Sequence, residues 1–446
     1  MRIIIIGNGI SGATAARFIR KWSDHSITMI SAESDYFFSR TALMYVYMGD
    51  LRLKDTRPYP PEFWKKNNIQ LIKARVTGFD KDTKTVALDT GQQLSYDKLI
   101  IATGSTPRFF GWPGQELEGV RGLYSLQDLE YIEKYSKDLK RAVVVGGGLI
   151  GIELAEMLHS RGIPLTFLVR EKHYWDNILP PEESAMVTRH ILDNGIDLRL
   201  DTALQSIIDN GTGRVEAVQT DKGEQIKCGF VGITTGVQPN IDWIRNSELE
   251  CEHGILVDDQ LQTNLPDVYA IGDCAQLRQA QPGRKAIEAV WYTGRMMGET
   301  LAFTICKKPK AYRPGIWFNS AKFFHLEYQV YGSVPASLPT DQDTLYWEHP
   351  DGKKSLRINF YRSSQVVSGF QAMGIRLRHE VCEKWLKNEA LLEEVLPNLA
   401  LANFDPEFYR RHEKDIVKLF NQRFGKNIRL QPRRNILNKV YQFLKS

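Results

Sequence analysis

The chain has 446 residues, 42% of them hydrophobic and 25% charged, with a formal net charge of +5. That length exceeds what one core usually supports, so two or three domains of ordinary soluble, globular composition are expected. No apolar run approaches the roughly 20 residues that span a bilayer, and the basic excess is concentrated in the tail, where Glu407 to Ser446 carries eleven Lys/Arg against three Asp/Glu.

The first element is a β-branched strand over residues 3–6. It begins two residues into the chain, with no signal-peptide pattern ahead of it. It runs into Gly7-Asn8-Gly9-Ile10-Ser11-Gly12, and "ATAARFIRKW" follows as a helix. In such a turn the first glycine makes the bend, the second lets backbone approach a pyrophosphate, and the third lets helix pack on strand. The helix N-terminus then offers amide donors and a positive dipole end to the phosphates. A second strand, "SITMI", leads to Glu33, about 20 residues beyond the last glycine and suited to a ribose hydroxyl.

"YDKLIIATGSTPR" (96–108) predicts a buried strand ending at Thr103-Gly104, where a chain can leave one domain for the next. The opening pattern then repeats. "RAVVVGGGLIGIELAEMLHSRGIPLTFLV" predicts strand, Gly146-Gly147-Gly148-Leu149-Ile150-Gly151, helix and strand, so two dinucleotides are expected, one a tightly held flavin and the other a diffusible nicotinamide. At the end of that second strand stand Arg170, Glu171, Lys172 and His173. Arg170 with Lys172 suits the 2′-phosphate of NADPH, while a ribose-binding Glu171 would favour NADH; the reading leans to NADPH. "TNLPDVYAIGDCAQ" (263–276) predicts a strand ending in Gly272-Asp273, whose carboxylate can accept a flavin ribityl hydroxyl.

"KKPKAYRPG" (307–315) reads as a linker. Beyond it, 315–332 and the stretches "LRINFYRSS" and "QVVSGFQAMG" predict a small antiparallel sheet. "IRLRHEVCEKWLKNEALLEEVL" and "PEFYRRHEKDIVKLFNQRFG" predict helices. In the last segment, 433–445, a helix would gather Ile436, Leu437, Val440, Tyr441 and Leu444 on one face. That face could dock on the protein's own body, on an acidic partner or on an anionic membrane.

The order GNGISG, ATG, GGGLIG, YAIGD resembles the two-dinucleotide-binding flavoproteins: the pyridine nucleotide-disulfide reductases, NADH oxidases, rubredoxin and ferredoxin reductases and the NADH-binding part of nitrite reductase. The resemblance implies an α/β fold with two Rossmann-like domains, the FAD domain split around the NAD(P) domain, plus a C-terminal α+β domain. Carried over, FAD binding falls to 1–112 and 240–312, NAD(P) binding to 113–239, and the remainder to 313–446. The resemblance also implies that Val76 holds the adenine through its backbone, that Arg40 sits over the FAD pyrophosphate, and that Gly236 lies near the nicotinamide. It further puts Glu153 beside the flavin as the candidate catalytic group. The stretch 287–302 resembles the helix facing the flavin's pyrimidine edge, where its dipole would stabilise the reduced ring and Trp291 and Tyr292 could flank it. Where cysteine-dependent relatives place their redox cysteine, this chain has Thr41, and where rubredoxin-reductase relatives carry a lysine it has Tyr45. Neither can act as a thiolate.

The activity implied is an FAD-dependent NAD(P)H oxidoreductase that passes electrons to an external acceptor without a redox cysteine. Two other readings stand beside it, a membrane-associated NADH:quinone reductase and a flavin-bearing redox sensor. The expected partners are NAD(P)H, a small acidic electron-transfer protein and a second copy of the chain; no nucleic acid or metal is expected. The five cysteines, Cys228, Cys251, Cys274, Cys306 and Cys382, show no CxxC or metal-ligand spacing and point to a reducing cytoplasm.

Overall fold

The computed structural model describes residues 1–245, 247–404, 411–431 and 436–445. The chain forms two compact units: Met1–Leu168 with Ala203–Pro314, and Val169–Thr202 with Gly315–Ser446.

In the first unit, the four isoleucines of the strand Arg2–Ile6 are all buried. Such continuous burial is the pattern of a parallel strand covered on both faces. Five parallel strands lie in the order Val268–Ala270, Lys98–Ile101, Arg2–Ile6, Ser26–Ser31, Ile69–Lys73. A second parallel set repeats the device, with Leu165–Leu168, Ala142–Val145, Phe230–Ile233 and Val120–Arg121 side by side. The predicted pair of Rossmann-like sheets is present. Each sheet has a three-stranded antiparallel companion, Val76–Asp80 to Gln93–Ser95 for the first and Leu204–Asp209 to Gln225–Lys227 for the second. Two chain crossings, Ser105–Pro107 and Val237–Pro239, pair antiparallel with each other.

The helix Ile10–Trp22 packs on the helix Trp291–Cys306 closely enough to need glycine. A Cβ on Gly294 would fall 2.5 Å from Ser11 Oγ, and one on Gly298 2.5 Å from the Ser11 carbonyl oxygen. This second helix begins at Trp291, not at 287 as predicted. Glu288 is held by Arg284 through two bonds of 2.6 and 2.5 Å and accepts from Thr293 Oγ1 at 3.1 Å, while Val290 stays extended.

The second unit carries the predicted antiparallel sheet: five strands in the order Phe318–Phe323, Leu326–Gly332, Val367–Met373, Ser355–Tyr361, Gln342–Glu348. The helix Pro181–Asp193 of this unit is tied to the sheet through Arg357. Its guanidinium donates to Glu183 at 2.8 Å from both Nε and Nη2, and to Glu182 at 2.6 Å. The single helix predicted over 375–396 is broken into His379–Lys387 and Leu392–Val395, because Glu389 turns left-handed at φ 51° after the Asn388 cap. The helix predicted after 405 is Glu413–Phe424, with 405–410 outside the described residues.

In the last helix, Ile436–Lys445, the face that docks overlaps the predicted one only in part. Val440 is buried and Phe443 packs on the unit's core, 5.9 Å from the Trp385 ring, with Lys384 Nζ donating to the Phe443 carbonyl. Tyr441 is 59% exposed and Leu444 40%. The i, i+3 pair Val440/Phe443 is what docks, since residues three apart share a helix face; the side chains of Ile436 and Leu437 lie outside the described residues.

Candidate functional site

The two glycine turns share one geometry. Gly7 has φ +112°, and a Cβ there would stand 2.1 Å from the Ala102 carbonyl oxygen. Gly146 has φ +115°, with its Cβ 2.7 Å from the Thr234 oxygen. In each turn the third glycine packs on the first, since Cβ atoms on Gly12 and Gly151 would lie 2.1 Å from the Gly7 and Gly146 oxygens. The middle glycines differ in kind. Around Gly9 and Gly148 a Cβ would meet nothing within 4 Å, and both are N-caps of helices without a side-chain cap. Backbone amides at the head of each helix therefore face a space that only a glycine leaves open, the form of an anion cradle. Asn8 is buried and donates Nδ2 to the Ser34 oxygen at 2.9 Å, which fixes the first turn. Ile10, Leu149 and Ile150 sit half-buried at the helix heads. Ser11 is buried behind, against Gly272, whose Cβ would come 2.3 Å from Ser11 Oγ.

Beside the first cradle, side chains from five chain segments converge. Arg40 lies in the turn Arg40–Ala42 and donates to Glu33 by two parallel bonds of 2.8 and 2.6 Å, and to the Tyr124 carbonyl at 2.5 Å. Its guanidinium lies 4.4 Å from the centre of the Tyr124 ring. Glu33 is thus engaged at the strand end, and it also accepts the Leu126 amide at 2.9 Å at the head of the helix Leu126–Tyr135. Burial opposes the charge on Arg40, but the Glu33 carboxylate outweighs it and the guanidinium pKa rises.

Asp273 stands in the turn Gly272–Cys274 after the strand Val268–Ala270. Its Oδ2 accepts from Ser105 Oγ at 3.0 Å and from the Tyr124 hydroxyl at 3.2 Å. The protein packed around it raises its carboxyl pKa, and the bonds from Ser105 and Tyr124 pull it back toward the charged form. A buried carboxyl oxygen already held by two hydroxyl donors suits a polyol ligand.

Tyr124 and Ser105 were not singled out by the sequence reasoning. The local signal is the capping box of the helix Leu126–Tyr135. Ser125 Oγ accepts the Asp128 amide at 3.1 Å, and Asp128 accepts the amides of Tyr124 and Ser125 at 3.0 and 2.8 Å.

The other expected residues are placed as follows. Val76 is buried at the start of its antiparallel strand, opposite Leu88. Thr103 Oγ1 donates to the Asn240 oxygen at 2.9 Å, and Gly104, at φ +69°, accepts the Asn240 amide at 2.9 Å, so both hold the paired crossings. Gly236, at φ +110° in open space, accepts the Arg108 amide at 3.0 Å. Glu153 is half-buried on the helix Leu149–Ser160. Trp291 opens its helix, its ring 5.5 Å from that of Tyr292. Arg170 belongs to the second unit, where it is 77% exposed and donates to Glu171 at 2.9 Å. All five cysteines are free, and burial raises every thiol, Cys228 to about 12. None is poised as a thiolate.

Residues 1–297 match the family model described as pyridine nucleotide-disulphide oxidoreductase. Over 280 residues the chain is 30% identical to nitrite reductase [NAD(P)H] of Bacillus subtilis (strain 168), covering 62% of this chain and 34% of that protein. Over 322 residues it is 28% identical to rubredoxin-NAD(+) reductase of Pseudomonas putida, covering 71% and 83%. Its fold matches that of an NAD-dependent persulfide reductase from A. fulgidus with a TM-score of 0.83 at 24% identity, over 95% of this chain and 84% of that one. No helix among the described residues is long and apolar enough to cross a membrane.

Proposed function

The chain belongs to the pyridine nucleotide-disulphide oxidoreductase family, and on that premise we propose that it oxidises NAD(P)H through a non-covalently held FAD and delivers the electrons to a small redox protein, without a cysteine relay. The observation that carries this is the pair of strand–glycine–helix cradles with matching geometry in one chain. FAD, when bound, supplies the hydride acceptor and the electron outlet.

In this reading FAD is held by 1–112 with 240–312 and the nicotinamide nucleotide by 113–239, while 313–446 forms a further domain. The amides after Gly9 and the Arg40 charge hold the pyrophosphate, Val76 frames the adenine, and Asp273 orients the ribityl chain. Glu33 first anchors Arg40, and a ribose contact is its second task. Gly146 to Gly151, with Gly236, serve the nicotinamide nucleotide. Glu153, on the helix behind the second glycine turn, is the group we assign to the flavin's electrostatic surroundings. The uncapped head of the helix Trp291–Cys306 would favour negative charge on the reduced flavin ring, with Trp291 and Tyr292 flanking it.

NADPH is the donor we propose. Arg170 would exchange its Glu171 partner for the 2′-phosphate, which a guanidinium binds with two charge-assisted bonds. The name of the P. putida relative specifies NAD(+), so substitution at Arg170 is the deciding measurement.

The relatives named for rubredoxin and nitrite support a small protein or inorganic acceptor. Docking of the tail helix through Val440 and Phe443 favours an aqueous acceptor over a membrane quinone. Five free, unpaired thiols support the reading of a reducing compartment such as the cytoplasm. The test is anaerobic reduction of the bound flavin by NADH and by NADPH, followed by turnover with rubredoxin, ferredoxin, nitrite and a soluble quinone. A protein that takes up no FAD, or whose flavin neither nucleotide reduces, refutes the reading.

A further inference from the structure

Tyr124 sits where three separate demands meet. Its hydroxyl donates to Asp273 Oδ2 at 3.2 Å while accepting the Ser105 amide at 3.0 Å. Its carbonyl accepts from Arg40 at 2.5 Å, and its ring lies under the Arg40 guanidinium at 4.4 Å. The Ser125–Asp128 capping box fixes its backbone, with Arg121 Nε holding the far side of Asp128 at 2.7 Å. Gly104 leaves room for the hydroxyl, since a Cβ there would stand 3.1 Å from it. A tyrosine with both ends of its side chain and its carbonyl committed in this way is more than core filling.

We propose that Tyr124 is a positioning residue of the flavin site: its hydroxyl, with that of Ser105, keeps Asp273 an oriented carboxylate, and its ring seats Arg40 against Glu33. The proposal rests on the FAD reading above and adds a role that no glycine motif carries. Two hydroxyl donors land on the same oxygen, which fixes the carboxylate plane. Both bonds favour the charged form, against the burial that disfavours it. The charged and titratable groups that face Asp273 are Tyr124 and Arg40, with Glu33 behind Arg40 and the buried Cys274 thiol adjacent in the chain. Burial keeps both the Tyr124 hydroxyl and the Cys274 thiol protonated. Acidification therefore acts on Asp273, while Tyr124 and Cys274 keep their protons throughout. Removing one hydroxyl shifts the balance toward the neutral acid, so an Asp273-dependent ligand is lost at a higher pH than in the parent protein.

The experiment is FAD titration of the apoprotein by fluorescence quenching from pH 5 to 9, on the parent, Tyr124→Phe, Tyr124→Ala and Ser105→Ala. Tyr124→Phe keeps the ring under Arg40, so its FAD affinity at pH 8 should stay within a few-fold of the parent. The pH below which affinity falls should move up by about one unit, the size expected for one lost bond to a charged group. Ser105→Ala should move it in the same direction, an independent measure should Tyr124→Phe fail to fold. Tyr124→Ala should add a roughly tenfold loss at every pH, because Arg40 loses its seat. Superimposable profiles for the parent and both hydroxyl variants, or a loss in Tyr124→Phe that is equal at every pH, overturn the proposal. A parent protein that binds no FAD at any pH overturns the functional reading instead.

Discussion

The middle glycine of the first turn separates two roles that glycines in such a turn usually share. At Gly9 the backbone is extended (φ −68°, ψ −172°), a conformation open to alanine, and an added Cβ meets nothing within 4 Å. Alanine is a poorer N-cap than glycine by about 0.5–1 kcal/mol, and stiffening the unfolded chain returns about 0.4–1 kcal/mol. Gly9→Ala should therefore change the stability of the apoprotein by less than about 0.5 kcal/mol. Its methyl group, however, fills the space through which a pyrophosphate reaches the helix amides. Loss of one bond to a charged group, about 1.5–3 kcal/mol, lowers FAD affinity roughly 10- to 150-fold. Gly7→Ala is the contrasting control: at φ +112°, with a Cβ 2.1 Å from the Ala102 oxygen, it should destabilise the apoprotein itself by more than about 2 kcal/mol. Urea unfolding of the apoproteins and FAD fluorescence titration give the two numbers. A Gly9→Ala apoprotein that loses as much stability as Gly7→Ala, or one that binds FAD as the parent does, refutes the reasoning.

The same substitution at the second turn, Gly148→Ala, should leave FAD content intact and raise the KM for the nicotinamide nucleotide about tenfold or more; equal loss of FAD would mean that the two turns do not serve different nucleotides. Arg170→Ala should cost about 1.5–3 kcal/mol in kcat/KM with NADPH and little with NADH, and an equal effect on both would remove Arg170 from the nucleotide choice. Replacing the five cysteines one at a time should leave flavin reduction and acceptor turnover intact, and a single replacement that abolished turnover with FAD still bound would contradict the absence of a cysteine relay. Arg357→Met should destabilise the second unit by about 3–5 kcal/mol, because it leaves Glu183 buried without its partner. Adding Glu183→Leu should recover much of that in urea unfolding, and a double variant no better than the single one would show that the pair does not act as a unit.

What could be read from the sequence follows from how locally each feature is encoded. The glycine turns were legible because their constraint is main-chain crowding between neighbours in sequence, as at Gly7 and Gly12, and only one residue type satisfies it. The C-terminal sheet was legible from apolar stretches of strand length. The break at Glu389 was not, since a left-handed residue other than glycine or asparagine carries little signal in its identity. In the tail helix Val440 was assigned correctly and is buried, but Phe443, left out of the apolar set, is the residue that packs on Trp385, while Tyr441 and Leu444 are exposed.

The site shows the same division more sharply. Glu33, Arg40, Ser105, Tyr124 and Asp273 span 240 residues of chain, and no spacing rule joins them. Glu33, Arg40 and Asp273 were singled out because each stands near a motif whose position is fixed by the sheet. Tyr124 and Ser105 bind no motif and act only on those three, so their meaning exists only after folding brings the segments together. The capping box at Ser125 marks that the chain turns there into a helix, which is a statement about the backbone. That the tyrosine just before it should carry a hydroxyl to Asp273 and a ring to Arg40 depends on a strand end and a turn more than 80 residues away on either side. A change at either residue would leave every recognisable motif of the sequence intact, so only the folded arrangement reveals what it does to Asp273 and Arg40.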